Sequence, residues 1–363
     1  MSGRLDVGLD SVVRRTIELA ETPAPTGAEG ARAGLVRSWW EADGLDAVHL
    51  DETGNVWACA RAGAGPAVVL CAHLDTVFGA DVPHTTRLDG STLHGPSVGD
   101  DAVGVAALAS AAALLDPDGV PVWLLATVGE EGLGNLRGVS AALDAPPVPI
   151  AAFVAVEGNY LGRVSAVGVG SIRRRVHITG PGGHAWEAAD APSAVHAVAD
   201  LVSAIGAIAR DPGTSVNAGR IGGGEGINVR AREAWVELDL RADGPEALAA
   251  LANAVDAIVA EIPEPLRVTQ ESLGDRPAGR LEAGHPLVRA ATDGLREAGI
   301  GIVSPATSTD ANAAHARGIP AVAIGVTTGS GEHTAQEWID TAPIADGVRA
   351  LARTVTRFEE LSG

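Results

Sequence analysis

His73 and Asp75 stand two residues apart at the end of an apolar run, in the stretch VLCAHLDTV from Val69 to Val77. Side chains two apart on an extended chain project to the same side. An imidazole and a carboxylate therefore face one point where the strand Ala67 to Ala72 ends. One nitrogen and one oxygen donor suit a borderline divalent cation such as zinc. The alternative is a helix N-cap, with Asp75 or Thr76 accepting backbone amides. The pattern recurs: Val120 to Val128 runs into Gly129, Glu130, Glu131 and Gly132, and Ile150 to Val156 ends at Glu157 and Gly158. Neighbours on an extended chain face opposite ways, so one glutamate can ligate while the other reaches a water. Carboxylates at the ends of apolar strands are costly unless paired, solvated or metal-bound. Asp100 and Asp101, in GPSVGDDAVG, precede a helix-like run from Val103 to Leu115. One of them reads as an acidic cap and the other is placed to ligate. Glu332, His333 and Glu337 follow another apolar strand, Pro320 to Val326. Together these strand ends predict a metal site.

The elements that must position these residues are those of an α/β protein. With 363 residues, two domains are expected. Helices are expected over Val7 to Leu19 and Gly30 to Ala42, the second opened by a capping box of Thr26 and Glu29. Leu45 to Leu50, Asn55 to Arg61 and Ala67 to Ala72 read as the first strands of a mixed sheet. Val77 to Gly99 has little periodicity and reads as a long functional loop. From Ser171 the texture changes. Ser171 to Ile178, Thr214 to Ile221, Ile227 to Leu240 and Leu266 to Gln270 read as strands, and Pro192 to Ala209 and Pro245 to Ala260 as helices. That order is βαββαβ, the pattern of a small α+β domain, inserted over residues 168–280. Further helices are expected at Pro286 to Ala298 and Ala342 to Glu360, with a short capped one within Pro305 to His315.

Bulk composition narrows the function classes. Hydrophobic residues make up 46% of the chain and aromatics 3%, so the core is built from Ala, Val, Leu and Ile. The net charge of −20 disfavours nucleic acid and anionic membranes as partners. No run approaches the roughly 18 apolar residues of a membrane span. The opening MSGRLDVGLD lacks the pattern of a signal peptide, and a cytoplasmic setting is expected. Cys59 and Cys71 lie in apolar strands and read as buried small hydrophobes, with a disulfide left open.

Taken in order, these segments resemble the dinuclear zinc peptidase and deacylase family that includes glutamate carboxypeptidase, tripeptidase T, aminoacylase and succinyl-diaminopimelate desuccinylase. The resemblance covers nearly the whole chain. It implies a zinc-exopeptidase-like α/β/α catalytic domain from residues 1–167 and 281–363, with 168–280 as an inserted lid and dimerisation domain. It implies two zinc ions per subunit, with cobalt or manganese also accepted by such ligands. His73 and Glu157 are then ligands of one ion, Glu131 and His333 of the other, and Asp100 bridges both. Asp75 orients His73, and Glu130 is the general base. Ala102 replaces the lysine common in the Asp-x-Lys pattern, and His333, Thr334 and Glu337 match the C-terminal pattern. In the insert, His184 matches the lid histidine that stabilises the oxyanion, Asn228 a substrate-facing residue, and Arg241 the Asp-x-Arg strand end. An ordinary Gly-Gly-His turn and a strand-edge ion pair are the alternatives for His184 and Arg241. The implied function is hydrolysis of a peptide or amide bond by a water held between the metals, most simply as an exopeptidase on short peptides and as a homodimer through the insert. An N-acyl amino acid deacylase and a non-catalytic metal-binding scaffold are the rival readings.

Overall fold

The structure, a computed structural model, describes residues 8–362. The chain divides into two compact units, one formed by residues up to Gly168 with Arg280 onward, the other by Val169–Gly279. The first helix is Leu9–Ala20. Val7, and most of the opening segment read above for a signal peptide, lie outside the described residues.

The first unit is a three-layer α/β/α fold around a seven-stranded sheet. Its strand order is Asp46–Leu50, Val56–Arg61, Val122–Thr127, Ala67–His73, Ile150–Val156, Ala321–Ile324, Val164–Ser165. The four strands from Val122–Thr127 to Ala321–Ile324 run parallel, and the flanking ones are antiparallel. Every residue of Ala67–His73 is buried, as a central parallel strand covered on both faces requires. Alternation sorts its side chains. Val68, Leu70 and Ala72 pack with residues of helices Leu9–Ala20, Gly30–Ala42, Val103–Ala112, Pro286–Glu297 and Ile344–Ser362. Val69 and Cys71 pack with helices Arg137–Asp144 and Ala311–Ala316 on the opposite face. Val103–Ala112 is apolar all round and nearly fully buried, whereas Ile344–Ser362 buries Ile344, Val348, Leu351, Val355 and Phe358 along one stripe.

Two local expectations are corrected. Within the segment read as a loop, Arg87–Asp89 and Thr92–His94 form a hairpin in a second, four-stranded sheet with Trp338–Asp340 and Thr328–Ser330. Strands of three residues leave too short a pattern to be read. The capping box does not form: the Thr26 hydroxyl donates to Asp75, and Glu29 accepts from the Gly27 amide and Arg137. In the short helix Ala311–Ala316, Thr309 accepts the Ala311 amide, and the Asp310 carboxylate turns away to Thr127 at 2.5 Å.

The second unit carries an antiparallel sheet in the order Thr214–Gly223, Glu233–Ala242, Gly170–Thr179, Arg267–Arg276. Helices Ala194–Gly206 and Pro245–Ala260 cover one face through Val198, Leu201, Val255 and Val259 packed on Val176, Ile178, Val236 and Leu238. The run read as one strand from Ile227 is broken. Val229–Arg230 pairs with Gly183–His184, and Glu233–Ala242 belongs to the main sheet. Both cysteines are free and buried. Among the described residues, no helix is long and apolar enough to cross a membrane.

Candidate metal centre

The parallel strands deliver their carboxyl ends to one edge of the sheet, which is where open α/β sheets place their chemistry. His73 closes Ala67–His73 opposite Thr127, Glu130 and Glu131 follow Val122–Thr127, and Glu157 follows Ile150–Val156. His333 comes from the loop beyond Ala321–Ile324, at a left-handed φ of 63°. A non-glycine residue held there is strained by roughly 1–3 kcal/mol, a feature that clusters at functional sites.

Asp100 stands between the two imidazoles. His73 Nε2 is 2.9 Å from Asp100 Oδ1, and His333 Nε2 is 3.1 Å from Asp100 Oδ2 and from Glu131 Oε1. The ring Nδ1 of His73 donates to the Asp75 carbonyl at 3.0 Å, leaving Nε2 as the nitrogen that faces the carboxylates. The Asp75 carboxylate lies 3.6 Å from that Nδ1. Fully buried, it accepts the amides of Glu130 and Glu131 at 2.9 Å each and the Thr26 hydroxyl at 2.8 Å. Asp101, also fully buried, accepts the amides of His73 and Gly158. The acidic pair thus splits: one member braces backbone, the other faces the histidines. Gly158 is required by space, since a Cβ there would lie 2.3 Å from the Gly99 carbonyl oxygen.

The electrostatics follow from this crowding. Burial pushes the Asp100 carboxyl up, but hydrogen bonds from His333 and His73 outweigh it and hold it well below the usual range. Hydrogen bonds to Asp100 and Glu131 raise His333 to about 10. Burial drives Glu157 well up, against the pull of His73 and helped by Asp101, Glu130 and Asp100.

Among the described residues, three sets of donors have atoms within 4.8 Å of one another: His73, Asp100 and Glu157; Asp100, Glu131 and His333; and His73, Glu130 and Glu131. Two imidazoles with an excess of buried carboxylates form a donor set that calls for cations. Asp100, with one oxygen toward each histidine, is shared by the first two sets. The residues therefore fit a dinuclear centre, with nitrogen and oxygen donors suited to zinc, cobalt or manganese.

The other expected site residues lie in the second unit. His184 is exposed and pairs with Val229, and the Ala185 amide donates to the Asn228 carbonyl, so His184 and Asn228 are neighbours. Arg241 stands apart, near the far end of Glu233–Ala242, with its guanidinium on Asp239 at 3.0 Å.

Sequence reasoning missed Arg32, Thr26, Asn159 and the role of Glu337. Arg32 is fully buried, and burial lowers it to about 10 against the pull of Asp75, Glu337 and Asp101. Asn159 donates to Glu332, beside His333. Glu337 is raised to about 8 by burial and by Asp100, opposed by three amides that donate to it. An acidic residue four positions past His333 was the available signal.

Fold and site together define a metal-dependent hydrolase of the three-layer α/β/α type. A family model, Peptidase family M20/M25/M40, matches residues 69–357, and the chain belongs to that family. No curated protein sequence matches it. Among solved structures, a tripeptidase from Staphylococcus aureus and the aminopeptidase PepT from Bacillus cereus each align with a TM-score of 0.81 at 20% identity. Each alignment covers 99% of this chain and 100% of the other. A dinuclear metal-binding peptidase of family M20 from Bacillus subtilis aligns at 0.72 and 17% identity over 97% of this chain and 98% of its own. At these identities the likeness establishes the shared fold. The chain is accordingly a hydrolytic enzyme, a peptidase or amidohydrolase.

Proposed function

We propose that the enzyme is an exopeptidase that hydrolyses short peptides at a pair of zinc ions. The observation that carries this reading is Asp100 held between His73 and His333, 2.9 and 3.1 Å from their Nε2 atoms. Its preference for peptides over N-acyl amino acids is supported by the tripeptidase and aminopeptidase neighbours at a TM-score of 0.81.

His73, Asp100 and Glu157 would hold one cation, and Asp100, Glu131 and His333 the other. When bound, such a pair polarises the scissile carbonyl and acidifies water. Glu130, its amide fixed by Asp75, takes the proton of the attacking water and returns it to the leaving amine. His184, next to Asn228, stabilises the developing oxyanion. Arg241 has no part in the proposal, because its guanidinium is engaged by Asp239. A homodimer through the second unit and a cytoplasmic setting complete the reading, the latter supported by two free cysteines.

The test is a panel of di- and tripeptides and N-acyl amino acids, assayed before and after chelation, with elemental analysis of the purified protein. Peptide hydrolysis lost on chelation and restored by zinc is expected. Glu130→Gln keeps both metals and loses about 10²- to 10⁴-fold in turnover. His184→Ala lowers kcat by about 10²-fold or more with metal content unchanged. Turnover only on N-acyl amino acids moves the assignment to a deacylase. No hydrolysis of any substrate by the metal-loaded protein favours the scaffold reading.

A further inference from the structure

Glu337 belongs to the segment His333-Thr334-x-x-Glu337, yet no step above uses it. Its side chain is fully buried. Three backbone amides donate to its carboxylate: Ser97 to Oε2 at 2.7 Å, and Gly99 and Asp100 to Oε1 at 2.7 and 2.8 Å. These amides belong to the turn that delivers Asp100, entered through Ser97 at a left-handed φ of 60°. The Ser97 hydroxyl accepts from Arg32 at 2.8 Å. Arg32 in turn donates to the carbonyls of Thr22 and Leu74, the latter between His73 and Asp75. The amide of Glu337 itself donates to the Thr334 carbonyl at 3.2 Å, closing a turn that begins directly after His333, and the Thr334 amide donates to the Gly331 carbonyl at 3.0 Å, closing the turn that carries His333. Glu337 thereby joins the turn of Asp100, through its carboxylate, to the segment that follows His333, through its backbone. Ser97 and Arg32 extend the brace to the strand end of His73.

We propose that Glu337 is a positioning residue for Asp100: by clamping the Ser97, Gly99 and Asp100 amides it sets the Asp100 carboxylate between the two histidines and so governs the affinity for the metal pair. The proposal rests on the dinuclear reading above. The test is calorimetric titration of zinc into the full-length, chelator-stripped protein, for wild type, Glu337→Gln and Ser97→Ala. Glutamine conserves volume, but its NH₂ group faces amide donors, so at least one of the three loses its acceptor. Expected is a roughly 10- to 100-fold weaker zinc-binding step in Glu337→Gln, with turnover recovering as zinc is raised. Ser97→Ala removes only the Arg32 link and weakens zinc by roughly two- to tenfold.

A folded Glu337→Gln protein that binds zinc as wild type does, even with a lower melting temperature, reduces Glu337 to a structural role and overturns the proposal. If Glu337→Gln does not fold, Glu337→Asp, which keeps the charge but draws the carboxylate back from the three amides, decides by the same titration, and unchanged affinity there overturns it. Wild-type protein that binds no zinc defeats the dinuclear reading itself.

Discussion

Asp75→Asn tests how the paired glutamates are held. The carboxylate has two oxygens and three donors: Oδ1 takes the Glu130 amide, and Oδ2 takes the Glu131 amide and the Thr26 hydroxyl. Burial pushes this carboxyl up, but His73 and the two amides outweigh it and hold it below its usual range, so it is ionised at neutral pH. In the asparagine variant, one oxygen becomes an NH₂ group. With the NH₂ toward Glu130, that amide is orphaned. With the NH₂ toward Glu131, the Thr26 hydroxyl can rotate to accept, but the Glu131 amide is orphaned. Either orientation leaves one buried N–H without an acceptor, at a cost of about 1–3 kcal/mol. On the proposed mechanism the group displaced is the general base in one case and a metal ligand in the other, so metal affinity or turnover falls by about 10- to 100-fold. Urea unfolding of the chelated protein measures the stability term, and zinc titration with peptide turnover measures the functional one. Thr26→Val is the control. It removes one bond while both amides keep their acceptor, so it costs about 1 kcal/mol and leaves zinc affinity intact. Asp75→Asn with wild-type stability and zinc affinity, or Thr26→Val as damaging as Asp75→Asn, refutes the reasoning.

Gly138→Ala sets two effects of opposite sign against each other. Helix propensity favours alanine by about 1 kcal/mol, but its Cβ would lie 2.1 Å from the Val128 carbonyl oxygen and 2.5 Å from Asn55 Oδ1. The clash with backbone wins, and urea denaturation should show a loss of about 1–3 kcal/mol; a neutral or stabilised variant contradicts the packing described here. His315 is lowered to about 4 by burial, and its Nε2 has no partner among the described residues. Between pH 4 and the unfolded value near 6.5 the unfolded chain binds the extra proton, so this group's contribution is complete above about pH 6.5 and is lost as pH falls toward 4. Discounted for partial solvent contact, the loss is about 2 kcal/mol, and His315→Gln should flatten that part of the stability–pH curve.

The readable part of the site is the part carried by continuous apolar strands. His73 ends one buried parallel strand, Glu157 directly follows a second, and Glu131 lies a short turn beyond a third, so polar residues that appear abruptly after six or seven mostly apolar ones give both the element and its functional end. The sheet's alternation, with Leu70 on one face and Cys71 on the other, follows from the same runs. What could not be read is whatever depends on an acceptor or donor remote in sequence. Thr26 and Glu29 satisfy the local rule for a capping box, but the Thr26 hydroxyl donates to a buried carboxylate 49 positions away and Glu29 accepts from Arg137 across 108. Arg32 looks like a surface cation on a helix until it meets Ser97, 65 positions on, and Glu337 reaches the Gly99 amide across 238. In each case a buried charge must be satisfied by groups the fold brings together. Local propensity yields to that demand. The ligands of such a centre are therefore written locally, at strand ends, while the precision of their placement is written non-locally, in buried side chains that bind backbone.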